Sequence, residues 1–350
     1  MSINDNMEVL EMPTLVLYDV NQQEQRLLSR EFSGRDFDVR YHEEALDVTN
    51  ASEAQDADGI GVFIRSHVTA EVLDQLPQVK VVVAMSTGFD HIDLDTCRER
   101  NVTVCNVPSY GDNTVAEYAF GLIIALARRF KETFGRVERG YFSRSGLMGM
   151  DLRGKTLGLV GTGRIGAHMA RLGWAFEMKV IAYDLRPSNF LKEKFGVSFM
   201  SLEDLLKQAD IVSLHIPYLP STHHIINAER LRLMKRSALL INTARGRLVD
   251  TEALATALRE HRLAGVGLDT FEGENIWIEE EFLKHDDLAA IPLREAMENF
   301  SIMRSERTIL TPHNAFNTNE ALERILIITA EDFKAFFDGS PKNIVDKGNA

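Results

Sequence analysis

Three polar side chains stand just past short apolar runs in the second half of the chain, and their types suit one kind of reaction. Arg245 follows Leu239-Leu-Ile-Asn-Thr-Ala, Glu274 follows Gly267-Leu-Asp-Thr-Phe-Glu-Gly, and His313 follows Ile309-Leu-Thr-Pro. A sheet that binds a dinucleotide does its chemistry just past the carboxyl ends of its strands. A hydride acceptor such as a 2-keto acid presents a carboxylate to anchor and a carbonyl to polarise. The planar fork of an arginine grips the carboxylate. A protonated histidine gives its proton to the developing alkoxide as the hydride arrives. A carboxylate beside an imidazole holds its orientation and favours the charged form. Each residue alone has an ordinary reading: a surface ion pair for Arg245, a solvated face for a Glu in the acidic stretch Glu272 to Glu281, a turn residue for His313. Their joint occurrence at three strand ends, together with a complete cofactor motif, reverses those readings.

That motif is Gly161-Thr-Gly163-Arg164-Ile165-Gly166. A lone G-x-G-x-x-G is weak, and its context decides its meaning. Here it directly follows a strand pattern, Thr156 to Val160. It opens a helical pattern with apolar residues at Ile165, Met169, Leu172 and Phe176. An acidic residue, Asp184, ends the next strand pattern about 20 residues on, where a ribose-binding carboxylate belongs. Gly161 permits the tight turn, Gly163 lets the backbone approach a pyrophosphate, and Gly166 lets helix and strand pack closely. The pyrophosphate then rests on the helix N-terminus, where free N–H groups and the dipole favour an anion. Asp184 hydrogen-bonds the adenosine ribose and repels a 2′-phosphate, which favours NAD over NADP. Arg186, two residues later, is of the type that accommodates that phosphate.

These residues need a parallel sheet to place them. Apolar runs at Leu15 to Tyr18, Gly59 to Ile64, Val79 to Met85 and Val102 to Val107 form a first series, separated by amphipathic stretches. A second series has Thr156 to Val160, Lys179 to Tyr183, Ile211 to Ile216, Ala238 to Asn242, Gly265 to Leu268 and Thr308 to Leu310, with a helix over Ile165 to Phe176. Strands alternating with helical patterns give βαβ units. Between the series, Asn113 to Phe130 reads as one helix, with Thr114 and Glu117 as a capping box. Its segment Ala116 to Ala127 carries only Glu117 as a charge, so the helix is buried on most sides. Either it is wedged between layers or it packs against a second subunit. The last helix runs from about Thr318 to Asp338, capped by Asn317 with Glu320 reaching back and stopped by Gly339 and Pro341. It follows the last strand of the second series, so a return to the first domain would make that domain discontinuous.

The 350 residues allow about two domains. A net charge of −13 argues against a nucleic-acid partner, which needs a basic footprint. Cys97 and Cys105 make no disulfide framework and have no metal-ligand spacing. The residues Met1 to Met12 lack a basic start followed by an apolar run. The longest near-apolar run, Tyr118 to Ala127, falls short of the ~20 residues that span a bilayer. The expectation is a soluble, cytoplasmic protein with no metal and no membrane partner.

The chain resembles the D-isomer-specific 2-hydroxyacid dehydrogenases over nearly its whole length. The resemblance rests on Ser86-Thr-Gly-Phe-Asp-His-Ile-Asp93, Val107-Pro-Ser-Tyr-Gly-Asp-Asn-Thr-Val-Ala-Glu117, the glycine motif, Ser213-Leu-His-Ile-Pro217, Asn242-Thr-Ala-Arg-Gly246, Leu268-Asp-Thr-Phe-Glu-Gly-Glu274 and Thr311-Pro-His-Asn-Ala-Phe316. The long stretch between Glu274 and His313, and Tyr110, are most similar to the D-lactate dehydrogenase branch. The resemblance implies an α/β fold of two Rossmann- or flavodoxin-like doubly wound parallel-sheet domains with an active-site cleft between them. Residues 1–110 plus 314–350 would form a discontinuous catalytic domain. Residues 111–313 would form the NAD-binding domain, with the helix over 114–130 as the interface of a homodimer. It implies Arg245, Glu274 and His313 as the catalytic set. NAD would be held by the glycine motif, Asp184, His215, Pro217, Thr222, Thr243, Ala244 and Asp269. The substrate would meet Phe63, Thr87, Gly88, Tyr110 and Arg245. The chain departs from that branch at Gly111-Asp112, where Ser-Pro is usual, and at Asn317, where an aromatic is usual. The expected reaction is reversible reduction of a pyruvate-like 2-keto acid. A glyoxylate, hydroxypyruvate or bulky keto-acid reductase, with the insertion at Asn275 to Arg307 shaping its pocket, is the alternative. An NAD-sensing corepressor-like binding protein is the alternative from another class.

Overall fold

The computed structural model of the protein describes residues 12–274 and 293–345. The chain divides into two compact units, one of Met1–Tyr110 with Thr318–Ala350, the other of Gly111–Asn317.

The first unit is built on five parallel strands: β1 (Thr14–Leu17), β2 (Asp38–Tyr41), β3 (Gly59–Val62), β4 (Val81–Ala84) and β5 (Thr103–Asn106), in the order β2-β1-β3-β4-β5. β3 and β4 are buried along their whole length. This is the pattern of parallel strands covered on both faces. β2 is an edge strand with the sequence DVRY, half-buried or exposed throughout, and its weak apolar signal explains why periodicity does not reveal it. The helix Asn319–Phe337 belongs to this unit and makes it discontinuous. Its Phe333 is fully buried, and a Cβ on Gly59 would lie 2.9 Å from the Phe333 ring, so β3 and the returning helix meet over a bare backbone. The helix is capped by Thr318, whose Oγ1 accepts the Ala321 N–H at 3.1 Å. The expected cap, Asn317, instead donates from Nδ2 to Asn314 Oδ1 at 2.9 Å. Gly339, at φ +74°, follows the helix end as expected.

The second unit has seven parallel strands: β6 (Thr156–Val160), β7 (Lys179–Tyr183), β8 (Ser198–Phe199), β9 (Ile211–Leu214), β10 (Leu239–Asn242), β11 (Gly265–Leu268) and β12 (Thr308–Leu310). Their order is β12-β11-β10-β9-β6-β7-β8. The chain winds outward from β6 on one side, then returns to wind outward from β9 on the other. The order therefore reverses between β6 and β9, and such a switch point opens a crevice at the carboxyl ends. β8 is only two residues long, too short for any periodic signal.

The segment read as one helix over 114–130 is two helices, Asp112–Ala127 and Phe130–Glu138, with Arg129 between them at φ +54°. The expected capping box does not form. The helix starts at Asp112 with Gly111 as N-cap, so Thr114 lies buried in its first turn, and Glu117 accepts from Asn113 Nδ2 at 3.2 Å instead. An Asp in the first turn suits the positive end of the helix dipole. Within its unit the helix packs against the helix Arg164–Ala175 and strands β10 and β11. Side chains are absent where the contact is tightest: a Cβ on Gly267 would lie 3.2 Å from Leu122 Cβ, and one on Gly265 3.1 Å from Leu126 Cδ2. The wedged arrangement accounts for its burial. Asn314–Asn317 groups with the second unit, so the boundary falls later than the expected 314.

Candidate active site

The register of the second sheet levels its carboxyl edge. Val160 pairs with Tyr183 and Leu214, Leu214 with Asn242, Asn242 with Leu268, and Leu268 with Leu310. The first residues beyond these ends are therefore Gly161, Asp184, His215, Thr243, Asp269 and Thr311. One row gathers residues scattered over about 150 positions of sequence, five of them from the expected cofactor set.

At Gly161 and Gly166 the glycine turn can take no other residue without displacement. Gly161 sits at φ +95°, and a Cβ there would lie 2.4 Å from the His215 carbonyl oxygen. A Cβ on Gly166 would lie 2.2 Å from the Gly161 carbonyl oxygen. Gly163 is the N-cap of the helix Arg164–Ala175, and a Cβ there would meet nothing within 4 Å. The turn is thus closed toward the sheet and open above the helix N-terminus, the shape a pyrophosphate requires. Arg164 and Ile165 form the helix's first turn. Asp184 is held against this turn: its Oδ2 accepts from Thr162 N at 2.6 Å and Thr162 Oγ1 at 2.7 Å, and its Oδ1 from Arg186 N at 2.8 Å. Burial works to raise the Asp184 pKa, but these hydrogen bonds outweigh it and hold the carboxyl below its ordinary value, charged at neutral pH.

His215 lies over the turn, with Ser213 Oγ 2.9 Å from its Nε2. Desolvation lowers its pKa and keeps the imidazole neutral. The loop from Pro217 to Thr222 is closed on itself. Thr222 Oγ1 donates to the Pro217 carbonyl at 2.9 Å and accepts the Leu219 N–H at 2.8 Å. Thr243 is nearly buried, and its Oγ1 has no partner among the described residues. These donors, the bare turn and the charged Asp184 fit NAD.

Arg245 is presented by a turn built on Asn242, a fully buried side chain. Asn242 Oδ1 accepts the Ala244 N–H at 3.1 Å and its Nδ2 donates to the Arg245 carbonyl at 2.8 Å. Gly246 then brings this turn onto the next loop. A Cβ there would lie 2.2 Å from the Phe271 carbonyl carbon and 2.6 Å from Glu272 N. That next loop is a tight turn ending at Glu274, with Gly273 at φ +68°. Glu274 Oε2 accepts the Phe271 N–H at 3.4 Å, and Oε1 lies 3.1 Å from His313 Nδ1. A carboxylate only accepts, so Nδ1 carries the proton toward Glu274 and Nε2 is left for chemistry.

Asp269, assigned above to the cofactor, shapes the loop that carries His313. It is fully buried, and its carboxylate accepts from Thr311 Oγ1 at 2.5 Å, Asn314 N at 2.9 Å and Ala315 N at 2.8 Å. Its carbonyl accepts the His313 N–H at 2.9 Å. His313 lies at φ +50°, a left-handed conformation that costs a side chain about 1–3 kcal/mol. The convergent donors on Asp269 offset that cost. Glu272, Thr311 and Asn299 were not singled out in the sequence. Glu272 sits in an acidic run that reads as solvated, and only its position between Asp269 and Glu274 hints at more.

In the first unit, Phe63 lies just past β3, Thr87 and Gly88 past β4, and Tyr110 past β5. Ser86 Oγ donates to the Gly88 carbonyl at 2.6 Å and Thr87 Oγ1 to the Val107 carbonyl at 2.9 Å. Arg324 Nε donates to the Tyr110 carbonyl at 2.7 Å, tying the returning helix to the end of this unit's first segment. Of the expected insertion, residues 275–292 lie outside the described residues. Among the described residues, no helix is long and apolar enough to cross a membrane, and no cluster of three His, Cys, Asp or Glu side chains could hold a metal ion.

Known proteins are similar to this chain. The family described as D-isomer specific 2-hydroxyacid dehydrogenase, NAD binding domain, matches residues 120–315. A glyoxylate reductase of Aeropyrum pernix is 35% identical over 307 residues, covering 85% of this chain and 86% of its own length. A D-lactate dehydrogenase of Curvularia clavata is 38% identical over 301 residues, covering 85% and 83%. The crystal structure of D-lactate dehydrogenase from Aquifex aeolicus, complexed with NAD and lactic acid, superposes with a TM-score of 0.85 at 37% identity, covering 93% of this chain and 96% of that one. With its level row of strand ends, its bare glycine turn and the NAD-binding unit they form, the chain belongs to the D-isomer-specific 2-hydroxyacid dehydrogenase family.

Proposed function

We propose that this family member reversibly reduces a small, pyruvate-like 2-keto acid to the D-2-hydroxy acid, with Arg245, Glu274 and His313 as its catalytic residues. The observation that carries the reading is the His313–Glu274 pair at 3.1 Å, held on loops that Asp269 and Gly246 fix to one sheet edge. NADH, when bound, supplies the hydride that the substrate takes up at C2. Arg245 binds the substrate carboxylate through its fork and polarises the C2 carbonyl. As negative charge develops on the carbonyl oxygen, His313 donates the proton from Nε2, and in the oxidative direction it takes that proton back. Glu274 keeps the imidazole aimed through Nδ1. Thr87 and Gly88 offer backbone N–H groups to the substrate carboxylate, while Phe63 and Tyr110 set the room for its side chain. Arg164, Ile165, His215, Pro217, Thr222, Thr243 and Ala244 line the cofactor, and Asp184 selects NAD.

Glyoxylate is the second candidate substrate, favoured by the 35% identity to a glyoxylate reductase. Loss of NADH absorbance against pyruvate, glyoxylate, hydroxypyruvate, 2-ketobutyrate, a branched keto acid and phenylpyruvate ranks them, with NADPH run in parallel. The expected result is turnover of pyruvate or glyoxylate with NADH favoured over NADPH by tenfold or more, a difference of at least about 1.4 kcal/mol. Demonstrable NADH binding without turnover of any keto acid would overturn the catalytic reading in favour of a sensor.

The proposed assembly is a homodimer. Its support lies beside the expected helix, where Phe134, Tyr141, Phe142 and Met148 are exposed, Met148 at 90%. Exposed large apolar side chains this close together in sequence suit an interaction surface, and the proposed partner is a second copy. Light scattering at the monomer mass would refute it.

A further inference from the structure

We propose that Glu272 is a positioning residue that locks the turn bearing Arg245 to the turn bearing Glu274. The inference rests on the catalytic assignment above. Its side chain is 18% exposed, although it stands in an acidic run. One carboxylate oxygen, Oε1, lies 2.8 Å from His224 Nε2. The other, Oε2, accepts from Thr251 Oγ1 at 2.8 Å and Thr251 N at 3.2 Å. Thr251 N is the first N–H of the helix Thr251–Arg259, so the charge also sits at the positive end of a helix dipole. The Glu272 carbonyl accepts from Asn299 Nδ2 at 2.8 Å, where Asn299 is buried in the helix Leu293–Arg304.

These contacts close a ring. His224 sits at φ +49°, and its own N–H donates to the Arg247 carbonyl at 2.9 Å, two residues past Arg245. His224 also ends the loop that begins at Pro217, and its ring stacks on His223 with centroids 3.8 Å apart. From Glu272 one path therefore runs through His224 to Arg247 and back to Arg245. A second runs two residues forward through Gly273 to Glu274 and on to His313. Between them, Gly246 lets the two turns touch, backbone on backbone. Removing the carboxylate leaves the Arg245 and Glu274 turns in contact but unpinned. A displacement of about 1 Å at reacting groups can cost 10²-fold in rate.

The test uses the full chain with NADH and whichever of pyruvate and glyoxylate it reduces faster. Glu272→Ala is expected to lower kcat by about 30- to 100-fold and raise the keto-acid KM. NADH affinity, read by fluorescence, should change by less than about threefold, since the glycine turn lies elsewhere on the edge. Glu272→Gln, which keeps an acceptor for Thr251 and a hydrogen bond to His224, should restore kcat to within about fivefold of the wild type. In a Glu274→Gln background, Glu272→Ala should cost less than it does in the wild type, because the path through Glu274 is already broken and only the path through Arg247 is left to lose. A kcat within twofold of the wild type for Glu272→Ala would overturn the proposal. So would equal losses of kcat and NADH affinity with no rescue by Gln, the mark of a merely structural residue. His313→Ala, run alongside, separates the two levels. Near-normal turnover there sinks the catalytic reading. Its loss with an active Glu272→Ala sinks only this inference. If Glu272→Ala does not fold, Thr251→Val and His224→Asn each remove one arm of the clamp. Each should lower kcat by about three- to tenfold, and wild-type kcat in both would overturn it.

Discussion

The two ends of the second sheet's carboxyl edge are built on opposite principles. At the β6–β7 end, the glycine turn works by what it lacks. Bare backbone at Gly161 and Gly166 packs within 2.2–2.4 Å of where a Cβ would stand, and the anion-binding groups are N–H donors of a helix start. At the β10–β12 end, three loops meet through side chains, two of them carboxylates, Asp269 and Glu272. A dinucleotide's pyrophosphate is the same in every reaction, so a fixed backbone cradle suffices for it. Proton transfer and carboxylate recognition need specific side chains aimed at specific atoms, and long loops must be clamped to aim them. One end should therefore break when atoms are added, the other when charges are removed.

The largest effect is expected at the clamped end. Asp269→Asn leaves the volume but replaces one accepting oxygen with a donor, facing the N–H groups of Asn314 and Ala315. The loop carrying His313 then loses what offsets its left-handed conformation. A fall in kcat of about 100-fold is expected, with the fold retained by circular dichroism. A kcat within threefold of the wild type would remove the clamp from the comparison. Next in size is the cradle. Gly166→Ala places a Cβ 2.2 Å from the Gly161 carbonyl oxygen. Overpacking of this kind costs about 1–3 kcal/mol, so NADH should bind roughly tenfold more weakly. If titration showed unchanged NADH affinity and only kcat fell, the two ends would not be the separate devices described above.

The same contrast decides what could be read from sequence. The glycine turn is local: six consecutive residues, a strand before and a helix after, and an acidic residue at a set distance. The clamps are not. Asp269 reaches Thr311, Asn314 and Ala315 more than 40 positions away, and Glu272 reaches His224 at 48. No spacing along the chain announces such pairs. They follow from the strand register, which puts Leu268 beside Leu310 and Asn242 beside Leu268. Arg245, Glu274 and His313, the proposed catalytic set, stand out in the sequence because each follows an apolar run. Glu272 was not, because its acidic neighbours suggest solvent. The helix start at Asp112 was misread for a related reason. Thr114 and Glu117 have capping-box spacing, yet Gly111 and Asp112 extend the helix upstream and leave that box unused. The short or polar edge strands β2 and β8 have no periodic signature of their own.

An effect on stability, with none expected on turnover, sharpens the rule for buried carboxylates. Asp332, in the first unit, is as buried as Asp269, but only one of its oxygens is paired, with Asn343 Nδ2 at 2.8 Å. Its Oδ2 has no partner among the described residues. Burial pushes its pKa up to about 7, with the Asn343 hydrogen bond opposing and the Glu331 charge adding to the shift. The same buried environment, with Asp332 nearby, raises the Cys105 thiol to about 12, so that cysteine is inert. A carboxyl whose folded pKa lies above its unfolded value of about 4 binds more protons folded than unfolded between those values. Stability conferred by its neutral form is therefore present at low pH, declines as pH rises through the window from about 4 to 7, and stays lowest above it. Asp332→Asn, neutral at every pH and still able to accept from Asn343, should be more stable than the wild type at pH 8 by about 2–4 kcal/mol. The gain should vanish near pH 4. Urea unfolding of both proteins at the two pH values measures it. A variant less stable than the wild type at pH 8 would mean that the ionised Asp332 is well solvated in the folded chain. Full burial would then no longer separate a carboxylate that holds a loop from one that only burdens the fold.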